Sequence, residues 1–184
     1  MLHQGVSTFL ADHRDHVLTS LARLTMVVGT NHALLLVEAV GAIVVVATRH
    51  WWREGLATAG ALAAAELLSN LLKQVIERPR PPAALALVHA GGWSMPSSDA
   101  AVTSALAVAL FLAFTWHSRS RRLVVALVLA FGVVIVGAAL VYLGVHWTTD
   151  VLTGWLLGAG VGLAVAFGAR RIPAPSWLGR PTGA

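Results

Sequence analysis

Five apolar stretches, near residues 31–48, 55–76, 99–116, 123–143 and 151–168, dominate the chain, with short polar segments between them. Each approaches the roughly 20 residues an α-helix needs to cross the hydrocarbon core of a bilayer. A sixth stretch, 17–29 (VLTSLARLTMVVG), is modestly amphipathic but too short to span, which predicts a helix lying at the membrane interface. Residues 1–16 are polar and His-rich, without the basic start and short apolar core of a secretory signal. The Pro- and Gly-rich residues 172–184 predict a loosely ordered end. The pattern divides into an N-terminal segment over 1–30, a transmembrane domain over 31–171 and a tail over 172–184. It predicts an all-α integral membrane protein.

Composition agrees with a bilayer location. Of 184 residues, 57% are apolar and only 11% charged, against roughly 25% charged in ordinary soluble domains; the mean hydropathy is +0.75. The absence of cysteine excludes disulfides, Cys-ligated zinc and a thiol nucleophile. The net charge of +5 comes from scattered arginines and one lysine, Lys73. That scatter suits membrane orientation and not nucleic acid, which requires a contiguous basic face.

Five spans place the segment 77–98, the turn 144–150 and the N-terminus on one side of the membrane. That side carries four arginines (Arg14, Arg23, Arg78, Arg80), and the other carries eight (Arg49, Arg53, Arg119, Arg121, Arg122, Arg170, Arg171, Arg180). Positive charge marks the cytoplasm, so the first side is expected to be extracytoplasmic, as at a bacterial inner membrane.

Polar residues inside the spans are few. Glu66, Asn70, Lys73 and Glu77, spaced by four, three and four, predict one polar stripe on the second span. Ionisable groups at membrane depth are costly and face a bundle interior or a wet cavity. Helix–helix hydrogen bonding accounts equally well for Glu66 and Asn70, and for Glu38 in the first span.

Three clusters carry candidate chemistry, all on the first side. In Lys73-Gln-Val-Ile-Glu-Arg-Pro-Arg80-Pro81 a helix is expected to end at Pro79, with Arg80 held extended between two prolines. An ammonium and a guanidinium fork are complementary tools for a tetrahedral anion. Met95-Pro96-Ser97-Ser98-Asp99 reads as a helix start. Its free N–H groups can cap the helix or bind phosphate. In Tyr142-Leu-Gly-Val-His146-Trp-Thr-Thr-Asp150 an apolar run stops on a glycine and presents a histidine and an aspartate four residues apart. If Asp150 opens the next helix, its carboxylate can reach one ring nitrogen of His146, leaving the other as a nucleophile or base.

The order Lys-x6-Arg-Pro, then Pro-Ser-x-x at a helix start, then Gly-x-His-x3-Asp at the opening of a last helix resembles the type 2 phosphatidic acid phosphatase family over about residues 55–168. The resemblance implies a six-helix bundle, five helices transmembrane and one N-terminal and interfacial. It implies cofactor-free, metal-independent phosphoryl transfer from a lipid phosphate through a phosphohistidine. Carried over, His146 is the nucleophile, Asp150 orients it, and Lys73, Arg80 and Ser97 hold the phosphate, with Ser98 beside them. Two motifs depart from the family pattern. Its second motif reads Pro-Ser-Gly-His, the histidine protonating the leaving group; here those places hold Ser98 and Asp99. Its third motif begins Ser-Arg; here those places hold Ala139 and Leu140.

An aspartic acid can donate a proton where desolvation and a bound anion favour its neutral form, so Asp99 is the candidate acid. With one cation fewer, the site suits a less charged phosphoryl group, such as a phosphodiester or a transfer reaction, better than a dianion. A second reading is a catalytically lapsed relative that binds or moves a lipid phosphate or partners a membrane protein. A third makes His146 and Asp150 metal ligands, with His89 as the only evident third.

Overall fold

The computed structural model describes residues 2–30, 52–113 and 116–171. The described residues form α1 (Leu2–Asp12), α2 (His16–Thr30), α3 (Trp52–Ile76), α4 (Ser98–Ala113), α5 (Arg119–Tyr142) and α6 (Thr148–Arg170), plus a 3₁₀ turn at Ala83–Leu85. The expected first span (31–48, with Glu38) and the tail lie outside the described residues. Helices α3, α5 and α6 are long and apolar enough to cross a bilayer, and α4 is a shorter apolar helix. At 1.5 Å per residue the 16 residues of α4 extend about 24 Å.

Helices α3, α4 and α6 meet through small residues. Ala61 and Ala65 of α3 pack with Ala101, Ala105 and Ala109 of α4 in one buried cluster. The glycines of α6 close on the same surface: a Cβ at Gly158 would stand 1.9 Å from the carbonyl oxygen of Ala101, and one at Gly154 2.5 Å from that of Ser97. Large apolar side chains point outward instead, Val75 being 79% and Leu156 76% exposed. Small residues inside and large ones outside is the arrangement for a lipid surround, where helices gain by close backbone approach and Leu costs nothing against hydrocarbon.

Gly158→Val is expected to force α4 and α6 apart and to lower stability by about 1–3 kcal/mol. Gly160, with nothing within 4 Å of its added Cβ, is the matched control. Melting temperatures in detergent check this: equal values for Gly158→Val and Gly160→Val would show that the close approach contributes nothing.

Helix α1 is absent from the sequence expectation, whereas α2 is the helix expected over 17–29. Asp15 caps α2, its Oδ1 accepting from Val17 N (2.8 Å) and Leu18 N (3.1 Å). Those bonds, Leu18 first, hold its carboxyl below the usual value. The Tyr142 hydroxyl, at the end of α5, lies 3.0 Å from Thr19 Oγ1 and accepts from Asp15 N at 3.1 Å. Arg14 and Arg23 then donate to the carbonyls of Leu85 and Leu87, so the first two helices brace the segment that follows α3.

Candidate active site

The three sequence clusters come together at one end of the bundle. Helix α3 stops at Ile76, three residues before Pro79, because Glu77 turns left-handed (φ 48°) while its N–H still bonds Lys73 O at 3.0 Å. This corrects two expectations: the helix does not run on to Pro79, and Glu77 leaves the polar stripe. The remaining stripe is partly closed on itself, Asn70 Nδ2 donating to Glu66 Oε1 at 2.8 Å.

After α3 the backbone is extended through Arg78-Pro-Arg80 and tied to the loop before α4. Ser94 N donates to Arg78 O at 2.9 Å, and Ser94 Oγ lies 3.1 Å from the carbonyls of both Arg78 and Pro79. Ser97 N donates to Asp150 O (3.0 Å), and Leu87 N to Leu143 O (2.9 Å). Helix α5 ends on Gly144 (φ 72°), where an added Cβ would stand 2.2 Å from Leu85 O. Only glycine supplies both that backbone conformation and that close approach. The turn delivers His146 buried (2% exposed) and Asp150 fully buried.

Arg80 faces the imidazole. Its Nη1 donates to Val145 O at 2.8 Å and lies 3.3 Å from His146 Nε2, while its Nε bonds the carbonyls of Gly91 and Gly92 at 3.0 and 3.2 Å. A guanidinium has no acceptor, so Nε2 must offer its lone pair and the neutral ring carries its proton on Nδ1. Burial lowers the Arg80 guanidinium from its ordinary value, with Asp99 and Asp150 acting oppositely; it remains a cation.

Asp150 is held from two sides. Oδ2 accepts from Trp147 N at 2.9 Å, the reach-back of a third helical residue to its N-cap. Oδ1 accepts from Arg78 Nη1 at 2.7 Å. His146 Nδ1 stands 3.6 Å from Oδ2, longer than a hydrogen bond, and has no other partner. The His–Asp pair is therefore juxtaposed but open. Such contacts commonly tighten only when substrate is bound.

Arg78 was missed in the sequence, where it entered only the charge count. Residues two apart on an extended chain share a face, so the proline-locked Arg78-Pro79-Arg80 aims both guanidinia at the 145–150 turn. That was the readable signal.

Lys73 Nζ bonds Ser98 Oγ at 2.9 Å, joining α3 to the start of α4. Ser97, fully buried, sits as the cap of α4, with its Oγ 3.4 Å from Ala100 N. Asp99 and Leu140, the two departures from the family pattern, line one cavity of about 400 Å³ between α2, α3, α4 and α5, together with Met26, Leu62 and Glu66. Among the described residues no three His, Asp or Glu side chains group to hold a metal, and His89 is exposed. The ligand set with His89 is thus not assembled, and Asp150 is committed to Arg78.

A family model for the PAP2 superfamily matches residues 54–171. The chain belongs to the PAP2 superfamily. Phosphatidylglycerophosphatase B of Bacillus subtilis (strain 168) is 42% identical over 98 residues, covering 50% of this chain and 46% of that protein. The chain thus spans about half the length of that curated relative. The crystal structure of a transmembrane PAP2-type phosphatidylglycerolphosphate phosphatase from Bacillus subtilis superimposes with a TM-score of 0.78 at 26% identity, over 94% of this chain and 86% of that one. Aquifex aeolicus LpxE shares the fold, with a TM-score of 0.70 at 22% identity over 90% of this chain and 94% of that one. The described helices are therefore those of an integral-membrane PAP2 bundle.

Proposed function

We propose that this PAP2 protein is a lipid phosphatase or phosphotransferase acting on a lipid-linked phosphate or diphosphate, of phosphatidic acid or polyprenyl type, through a phosphohistidine on His146. The observation that carries it is the buried His146 Nε2 standing 3.3 Å from Arg80 Nη1, on the face where an anion held by Arg80 would sit. Lys73 and Ser98 supply the second donor group.

In the first step Nε2 attacks phosphorus and the P–O bond to the lipid breaks. Asp99, as the proposed acid, passes a proton acquired with the bound anion to the departing alkoxide. In the second, Asp99 takes a proton from water as the water oxygen attacks phosphorus. The P–N bond breaks, releasing phosphate and restoring the ring. Asp150 stabilises the ring while it carries the phosphoryl group. The cavity that Asp99 borders is lined mainly by apolar side chains, which suits a lipid leaving group. The relative's name, a phosphatidylglycerophosphatase, supports a lipid phosphate as the substrate class. Asp99 and Leu140 on a shared cavity wall also favour a second reading, a lapsed relative that binds lipid phosphate without turning it over.

A phosphate-release assay over lipid phosphates, prenyl diphosphates and phosphodiesters decides between these. Release from at least one is expected, and binding without release from any would favour the lapsed relative. The site is proposed to face outward. With no native cysteine, single cysteines at His89 and Ser120 report the two sides. Labelling at 89 but not 120 from outside intact cells is expected, and the reverse would overturn the orientation.

A further inference from the structure

We propose that Arg78 is a positioning residue that acts on His146 through Asp150. The inference rests on His146 being the nucleophile. Arg78 is fixed along its length: its carbonyl is tied to Ser94, and its guanidinium lies over the Trp147 ring, 5.8 Å from the centroid. Nη1 contacts Asp150 Oδ1 (2.7 Å), Thr149 Oγ1 (2.5 Å) and Met95 Sδ (3.5 Å). Trp147 closes the arrangement, donating Nε1–H to Pro79 O at 3.0 Å and N–H to Asp150 Oδ2 at 2.9 Å.

Asp150 is fully buried, and a buried carboxylate requires compensation. Among the described residues Arg78 is the cation in direct contact with it. Arg78 therefore sets where the carboxylate stands, with Oδ2, which accepts from Trp147 N, facing the imidazole at 3.6 Å. It also neutralises that carboxylate, which limits how strongly Asp150 favours a protonated ring. A protonated ring has no lone pair for phosphorus, so replacing Arg78 is expected to favour the form that cannot attack. Lys73 from α3 and Arg80 from the following segment also act on Asp150 electrostatically, Asp99 from α4 acts on both of those cations, and all remain when Arg78 is replaced.

The test uses the full chain in detergent, with Arg78→Gln, Arg78→Lys and Thr149→Val. Arg78→Gln is expected to lower kcat by about tenfold to a hundredfold, with little change in KM, because Nη1 contacts Asp150 and not the Nε2 face. The acid limb of the pH–rate profile moves upward by about one unit, since an uncompensated Asp150 favours the imidazolium. The ring resonance of His146, identified by its loss in His146→Ala, titrates later in the same direction. Arg78→Lys restores the limb in part, keeping the charge and losing the fork. Thr149→Val gives a smaller shift of the same sign.

An unmoved limb and an unmoved resonance in folded Arg78→Gln would overturn the proposal, as would a raised KM with kcat intact. If Arg78→Gln does not fold, Arg78→Lys and Thr149→Val decide: native behaviour in both refutes it. The resonance needs no turnover. A chain inactive on every lipid, or one indifferent to His146→Ala, refutes the phosphohistidine reading separately.

Discussion

Replacing His146 with alanine is expected to abolish phosphate release, by about a thousandfold or more where the ring is the nucleophile. The neighbouring groups cannot take over. Arg80 and Lys73 are cations without a lone pair at neutral pH, and Asp150 has both oxygens engaged by Trp147 N and Arg78. The effect should fall on kcat, because Arg80, Lys73 and Ser98 still hold the anion. Asp150→Asn should be milder, leaving a small residual rate. The amide keeps a single acceptor oxygen, so it can accept from Trp147 N or from Arg78 but not from both, and it cannot stabilise charge on the ring. Melting temperatures accompany both assays, since His146 is buried. A folded His146→Ala protein with native turnover would exclude the phosphohistidine route.

Asp99→His combined with Leu140→Arg is expected to raise phosphomonoester turnover by about tenfold to more than a hundredfold. One recovered charge-assisted contact to a phosphoryl oxygen contributes on the order of 1.5–3 kcal/mol. Leu140 is buried and lines the same cavity as Asp99. Leu140→Arg alone would therefore place a guanidinium beside a carboxylate, which would neutralise it in place of the substrate. Asp99→His alone removes that carboxylate and supplies a different acid. The pair should exceed the sum of the singles. A double-mutant cycle of release rates from phosphatidic acid checks this, with thermal stability measured because a buried Arg can unfold the helix pair. No gain in a folded double variant, alongside rapid native turnover, would show that Asp99 is an adequate acid and the missing arginine unimportant.

Much of the bundle was legible because lipid imposes so strong a pattern. The stretches 55–76, 123–143 and 151–168 are α3, α5 and α6 to within a few residues, since a backbone crossing hydrocarbon must bond internally. The juxtaposition of Lys73, Arg80, Ser97, His146 and Asp150 was legible from span parity and motif order. Helix α1 was not: its polar sequence has no span-length apolar run, and its neighbour α2 is tied down by Tyr142, 127 residues from Asp15. Glu77 looked like part of a stripe because helical spacing continues on paper past Ile76. Only the two prolines ahead and its left-handed backbone end it. Which arginine of Arg78-Pro79-Arg80 meets the aspartate and which the histidine is a tertiary fact, since both share one face.

Besides the two arginines, the segments that place His146 and Asp150 are joined through main-chain atoms: Ser97 N to Asp150 O, Ser94 N to Arg78 O, and Leu87 N to Leu143 O. No side chain from position 99 or 140 takes part in these ties; both border the cavity instead. Drift at those two places can therefore alter the charge and shape of the cavity while His146, the proposed nucleophile, stays where it is. Point substitutions at 99 and 140 can change what the cavity admits while those main-chain ties stay as they are. Divergence at such positions is then not, by itself, a sign of a collapsed site.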